Sequence, residues 1–182
     1  IAFYFNGTQW DPIPLPGTLA DANNLFKVHD NGDEVWLVGS EGALARGRFL
    51  DFQQVPSGVA HDLVTAHSPA EASTPTLVVG GTNVGTIYSL ETDNVETLAS
   101  TPSGLFGGYS QPNGNAIVSG FNGYTGYFDA NTGMVETIPT PTSYTLHNVY
   151  GHEGERIYTV GGDISSAFAP HFGTILTAVT PR

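Results

Sequence analysis

Val35-Trp36-Leu37-Val38-Gly39 returns with changed letters as Thr76-Leu77-Val78-Val79-Gly80, Ala116-Ile117-Val118-Ser119-Gly120 and Arg156-Ile157-Tyr158-Thr159-Val160-Gly161. The closing glycines stand at positions 39, 80, 120 and 161, in steps of 41, 40 and 41 residues. A short apolar run that recurs at this period marks a blade-type β-repeat, in which each unit is a small sheet that cannot bury its faces alone.

Working outward from the motif, each repeat reads as four strands. The first starts with leucine: Leu25 to His29, Leu63 to His67, Leu105 to Tyr109 and Leu146 to Tyr150. Turns rich in Gly, Asn and Pro follow, as in Asp30-Asn31-Gly32-Asp33 and Gln111-Pro112-Asn113-Gly114, and these signal hairpins. The second strand is the motif itself. Third strands are expected at Ala43 to Ala45, Thr86 to Leu90, Gly126 to Phe128 and Thr174 to Val179. Fourth strands are expected at Phe52 to Val55, Val95 to Leu98 and Val135 to Ile138, each running into a proline turn, because proline has no N–H to continue a ladder.

The expected architecture is therefore an all-β propeller with four visible blades of about 41 residues, each of four antiparallel strands. Its parts are residues 1–17 (outer strands of a split blade), 18–58, 59–104, 105–143 and 144–182, the last lacking its outer strand. Such ends leave open edges, so the N-terminal strands are expected to close the last blade within one chain, to close that of a second copy by strand exchange, or to join missing blades of a larger ring. A chain that begins at Ile1 is expected to be processed or part of a longer protein.

Bulk composition narrows the function classes. The formal net charge is -12, with one lysine, Lys27, so nucleic acid and anionic membrane are poor partners. No cysteine is present, which excludes disulfides, thiolate metal sites and a cysteine nucleophile. No apolar run approaches the roughly 20 residues of a membrane helix.

The pattern of Leu-x-x-Val-aromatic, polar turn, Val-Trp-Leu-Val-Gly, then Gly-Ala-Leu or Gly-Thr-Ile resembles the repeat of photosystem II stability/assembly-factor-like propellers, within the BNR or Asp-box group. Asn6-Gly7-Thr8-Gln9-Trp10 resembles the end of such a blade. Gly80-Gly81 and Gly161-Gly162 are similar to kelch repeats, although the spacing is short for them. The resemblance implies a fold, not an activity, because propellers host binding proteins and several enzyme classes alike.

In propellers, the loops before the first strand and those between the second and third strands lie at one mouth of the channel. The candidate ligand contacts are accordingly Asn24, His61, Asp62, Asn83, Asn122, Tyr124, His147, Asp163, Phe168 and His171. The last three belong to an insertion at 163–172, where the fourth repeat departs from its siblings. His29, His67, Tyr109 and Tyr150 share one repeat position, which reads either as a polar ring or as packing between blades. Arg46 and Arg48 fall around a third strand, away from the mouth, so a sialidase-like arginine cluster is not expected.

The expected function is a non-enzymatic binding or assembly module for a protein or glycan ligand. No cofactor, metal, nucleic acid or membrane insertion is expected, and the setting is extracellular or periplasmic. The alternatives are a carbohydrate-active hydrolase or lyase using Asp62 and Asp163, and a self-assembling structural protein.

Overall fold

Frequent Gly, Pro and Asn leave no uninterrupted stretch for a helix, and the runs between them are rich in residues that fit a pleated surface. The computed structural model describes residues 2–20, 24–48, 50–69, 74–91, 94–151, 156–163 and 171–179. Over these the chain is all-β: seventeen strands, with helix confined to single turns at Gly17–Ala20, Ser40–Gly42 and Phe121–Gly123. Among the described residues no helix is long and apolar enough to cross a membrane.

The strands form five antiparallel sheets in chain order. β1 (Ala2–Phe5) and β2 (Trp10–Ile13) pair with each other. Three four-stranded meanders follow. They are β3 (Leu25–Asp30), β4 (Val35–Gly39), β5 (Leu44–Arg48) and β6 (Asp51–Gln54); β7 (Leu63–His67), β8 (Thr76–Gly80), β9 (Gly85–Glu91) and β10 (Asn94–Thr101); and β11 (Leu105–Ser110), β12 (Ala116–Gly120), β13 (Thr125–Asp129) and β14 (Met134–Thr137). A three-stranded sheet ends the series, with β15 (Thr145–Gly151), β16 (Arg156–Gly162) and β17 (Gly173–Val179).

Two strands run three residues past their expected ends, and β10 is one, reaching Thr101 beyond Leu98. β5 runs on to Arg48, beyond Ala45. Gly47 has no side chain to block the returning backbone at Asp51 and Phe52, so the hairpin continues. Arg46 and Arg48 lie 3.4 and 3.5 Å from Glu34 and Asp33.

Successive sheets pack face to face, with β3 against β7, β7 against β11 and β11 against β15. The side-chain period of two decides who meets whom. Trp36 and Val38 face Leu63, Ala66 and Val78 of the next sheet. Leu77 and Val79 point the other way, onto Leu105 and Val118. Tyr109 and Ile117 then face Val149 and Ile157. β8 and β12 are buried on both faces, which is why their motifs read as almost unbroken apolar runs.

The motif glycines share one cause. The carbonyls of Asn24, Asp62, Gly104 and Thr145 cross directly over Gly39, Gly80, Gly120 and Gly161, where a Cβ would overlap them. The N–H groups of Ser40, Gly81 and Phe121 then donate to the first three of these carbonyls at 2.8, 3.1 and 3.1 Å.

Polar bonds also cross between sheets. Thr65 Oγ1 donates to the Phe106 carbonyl at 2.7 Å. Replacing Thr65 with valine keeps the shape and removes this bond. The expected cost is about 1 kcal/mol, read as a lower urea midpoint at unchanged slope.

Candidate functional site: a cavity between the inner strands

The first strands of the four larger sheets share a local defect. Their ladders slip by one residue between Leu25 and Lys27, Leu63 and Thr65, Leu105 and Gly107, and Leu146 and Asn148. A bulged residue leaves the ladder and re-aims its side chain. The four bulged residues, Phe26, Val64, Phe106 and His147, all line one cavity of about 290 Å³. Lys27, Asp62, Thr65 and Asn148 complete its wall.

The wall combines apolar faces with polar tips. The Phe106 ring stands edge-on to His147, with centroids 5.3 Å apart, and against Phe121 at 4.6 Å. Nε2 of His147 is buried and has no hydrogen-bond partner among the described residues. Asp62 Oδ1 accepts from the Glu41 N–H at 3.1 Å, which holds the carboxylate across two neighbouring sheets.

Of the residues expected from the sequence, Asp62 and His147 meet in this cavity. His61 sits beside it in sequence, but its Nε2 pairs with the Tyr88 hydroxyl at 2.8 Å and its ring stacks on Tyr88. Asn24 is exposed, and its backbone exchanges bonds with Ser40. Asn83 and Asn122 are exposed in loops between second and third strands. Asn122 takes a left-handed φ of 54°, matching Glu41 at 55° in the equivalent turn, which Asn tolerates well. Tyr124 is buried in the core with Leu77, Val79 and Phe128 and does not line the cavity. Asp163 closes the base of its insertion, its N–H donating to the Phe172 carbonyl at 3.0 Å, and it does not line the cavity with Asp62. His171 is exposed, and Phe168 lies outside the described residues.

Phe26, Val64 and Phe106 escaped the sequence reading. Their signal was a constant offset of one residue after the repeated leucine, hidden because the residues are apolar. Among the described residues, no group of three or more His, Asp or Glu side chains gathers as a cation site would require.

The repeated aromatic position forms a continuous row across β3, β7, β11 and β15. His29 stacks on His67 at 5.5 Å, His67 meets Tyr109 at 4.8 Å, and Tyr109 meets Tyr150 at 5.8 Å. The two imidazoles also accept backbone bonds from the following sheet. Ser68 N–H donates to His29 Nε2 at 2.7 Å, and Ser110 N–H donates to His67 Nδ1 at 3.1 Å. A backbone N–H can only donate, so both nitrogens must be unprotonated. Burial holds the pKa of His67 down to about 4, helped by His29 and Lys27. Burial, with Lys27 adding to it, also lowers His29. This row packs and locks the sheets together rather than facing the cavity.

Comparison of the chain with protein-family models, curated proteins and solved structures found no match in any of the three.

Proposed function

We propose that the four larger sheets are blades of a β-propeller and that the chain is a non-enzymatic binding module holding the end of a glycan at the axial cavity. The carrying observation is the convergence of four equivalent bulges, His147 among them, on one cavity that also holds Asp62. Phe26 and Phe106 offer faces for the apolar side of a sugar ring, and Asp62, Asn148 and Lys27 offer hydrogen bonds to hydroxyls. At about 290 Å³ the cavity sits near the small end of the ligand-pocket range of about 300–1,000 Å³, a size for one sugar unit rather than a cofactor. With such a ligand the setting we infer is extracellular or periplasmic.

Hydrolysis is the less supported reading. Glycosidases need two carboxylates flanking the scissile bond, and Asp62 is the single carboxylate among the described residues that line the cavity. A glycan array followed by calorimetry tests the proposal. Phe26→Ala and Asp62→Asn are expected to weaken the best glycan by at least about tenfold each, roughly 1.4 kcal/mol. The asparagine keeps the oxygen that accepts from Glu41, so the fold is retained. Turnover of any polysaccharide, or binding indifferent to both changes, overturns this reading.

A further inference from the structure

The junction between neighbouring sheets occurs three times within the chain, with the same parts each time. The fourth residue of an inner strand faces backwards onto the preceding sheet. Ala66 meets Trp36 and Val38, Gly108 lies against Leu77 and Val79, and Val149 meets Ile117. All three are buried. In the first full sheet this residue is Val28, and it is 62% exposed. Among the described residues the hairpin β1–β2 stands in front of it, and Leu15 and Leu19 pack on Leu37, but a cavity of about 440 Å³ remains over Val28, Val35 and Leu37.

The last sheet shows the opposite half. In β4, β8 and β12 the forward-facing residues Trp36, Val38, Leu77, Val79 and Ile117 are all buried. Their equivalents in β16, Tyr158 and Val160, are 47% and 42% exposed. Tyr150, which ends the aromatic row, is 65% exposed.

We propose that these two faces dock on each other between two copies of this chain, head to tail, with Val28 of one copy seated against Tyr158 and Val160 of the next. A second copy is the occupant because the two open faces are matching halves of an interface the chain already forms with itself. β1 and β17 each have one unpaired edge among the described residues, and docking sets those edges side by side, removing two exposed edges at once. The contact is heterologous, so it builds rings or filaments rather than a two-fold dimer. This inference stands independently of the glycan reading.

The test is sedimentation of the full chain over a wide concentration range, with two single-face variants. Val28→Glu blocks the leading face and Val160→Glu blocks the trailing face; both positions are solvent-exposed, so folding is expected to survive. The wild type is expected to associate with rising concentration, and each variant alone to stay monomeric. An equimolar mixture of the two variants is expected to form dimers that grow no further, since each pair retains one intact junction. Because the chain has no cysteine, a mixture of Val28→Cys and Val160→Cys is expected to give an intermolecular disulfide, and this readout does not depend on the charged variants folding. A wild type that stays monomeric, a variant that assembles alone, a mixture that stays monomeric while the wild type assembles, or a failure to cross-link each overturns the proposal.

Discussion

Gly120→Ala is expected to destabilise the protein by about 3 kcal/mol, at the upper end for an overpacked site. For a chain of this length that corresponds to a melting temperature lowered by roughly 6–12 °C. The cause is not backbone conformation, since φ at Gly120 is −168° and any residue adopts it. The cause is the Gly104 carbonyl, which crosses the place the new Cβ would take. A flexible side chain could swing away, but this carbonyl also accepts from the Phe121 N–H at 3.1 Å and so is fixed. Gly173→Ala serves as the control: its nearest neighbouring atom lies 3.9 Å from an added Cβ, and its effect is expected to be within about 0.5 kcal/mol of zero. Equal effects at the two positions in a thermal melt would refute the close-approach account.

Acidification is expected to remove about 3 kcal/mol of stability through His67 alone as the pH falls from 6.5 to about 4. The sign follows from which state binds the proton. In the unfolded chain His67 protonates near its ordinary value of 6.5, whereas in the folded chain it does so only near 4. Between those values the unfolded state holds more protons, so stability is full above pH 6.5, declines through the window and levels off below it. His29, also lowered, acts in the same direction. NMR titration of the two imidazoles reads their protonation directly and so isolates their share of the acid limb. His67→Tyr, the residue that the repeat itself uses at Tyr109 and Tyr150, is expected to flatten the acid limb while costing some stability at neutral pH. An imidazole of His67 that titrates near 6.5 in the folded protein would refute the argument.

The strands were legible because their evidence is local. The leucine starts, the polar turns and the closing glycines lie within a few residues of one another, and the structure returns them as β3, β4 and their three sets of equivalents. β5 was read too short because two arginines around a glycine end the apolar pattern, whereas Gly47 admits the returning backbone and the ladder continues. The cavity was half legible. Asp62 and His147 stand out as polar residues near predicted turns, whereas Phe26, Val64 and Phe106 look like ordinary core. The burial of Tyr124 was not legible for the converse reason, since a tyrosine beside a Gly-rich loop reads as exposed.

Spelling alone determined that this chain builds short antiparallel sheets at a period of about 41 residues, because turn chemistry and apolar patterning act over neighbouring positions. Only tertiary structure decided which way the bulged residues point, that both imidazoles of the aromatic row must stay neutral, and that Val28, Tyr158 and Val160 stand exposed. Those outcomes depend on how one sheet lies against the next, and that packing is set by contacts between residues roughly one repeat apart.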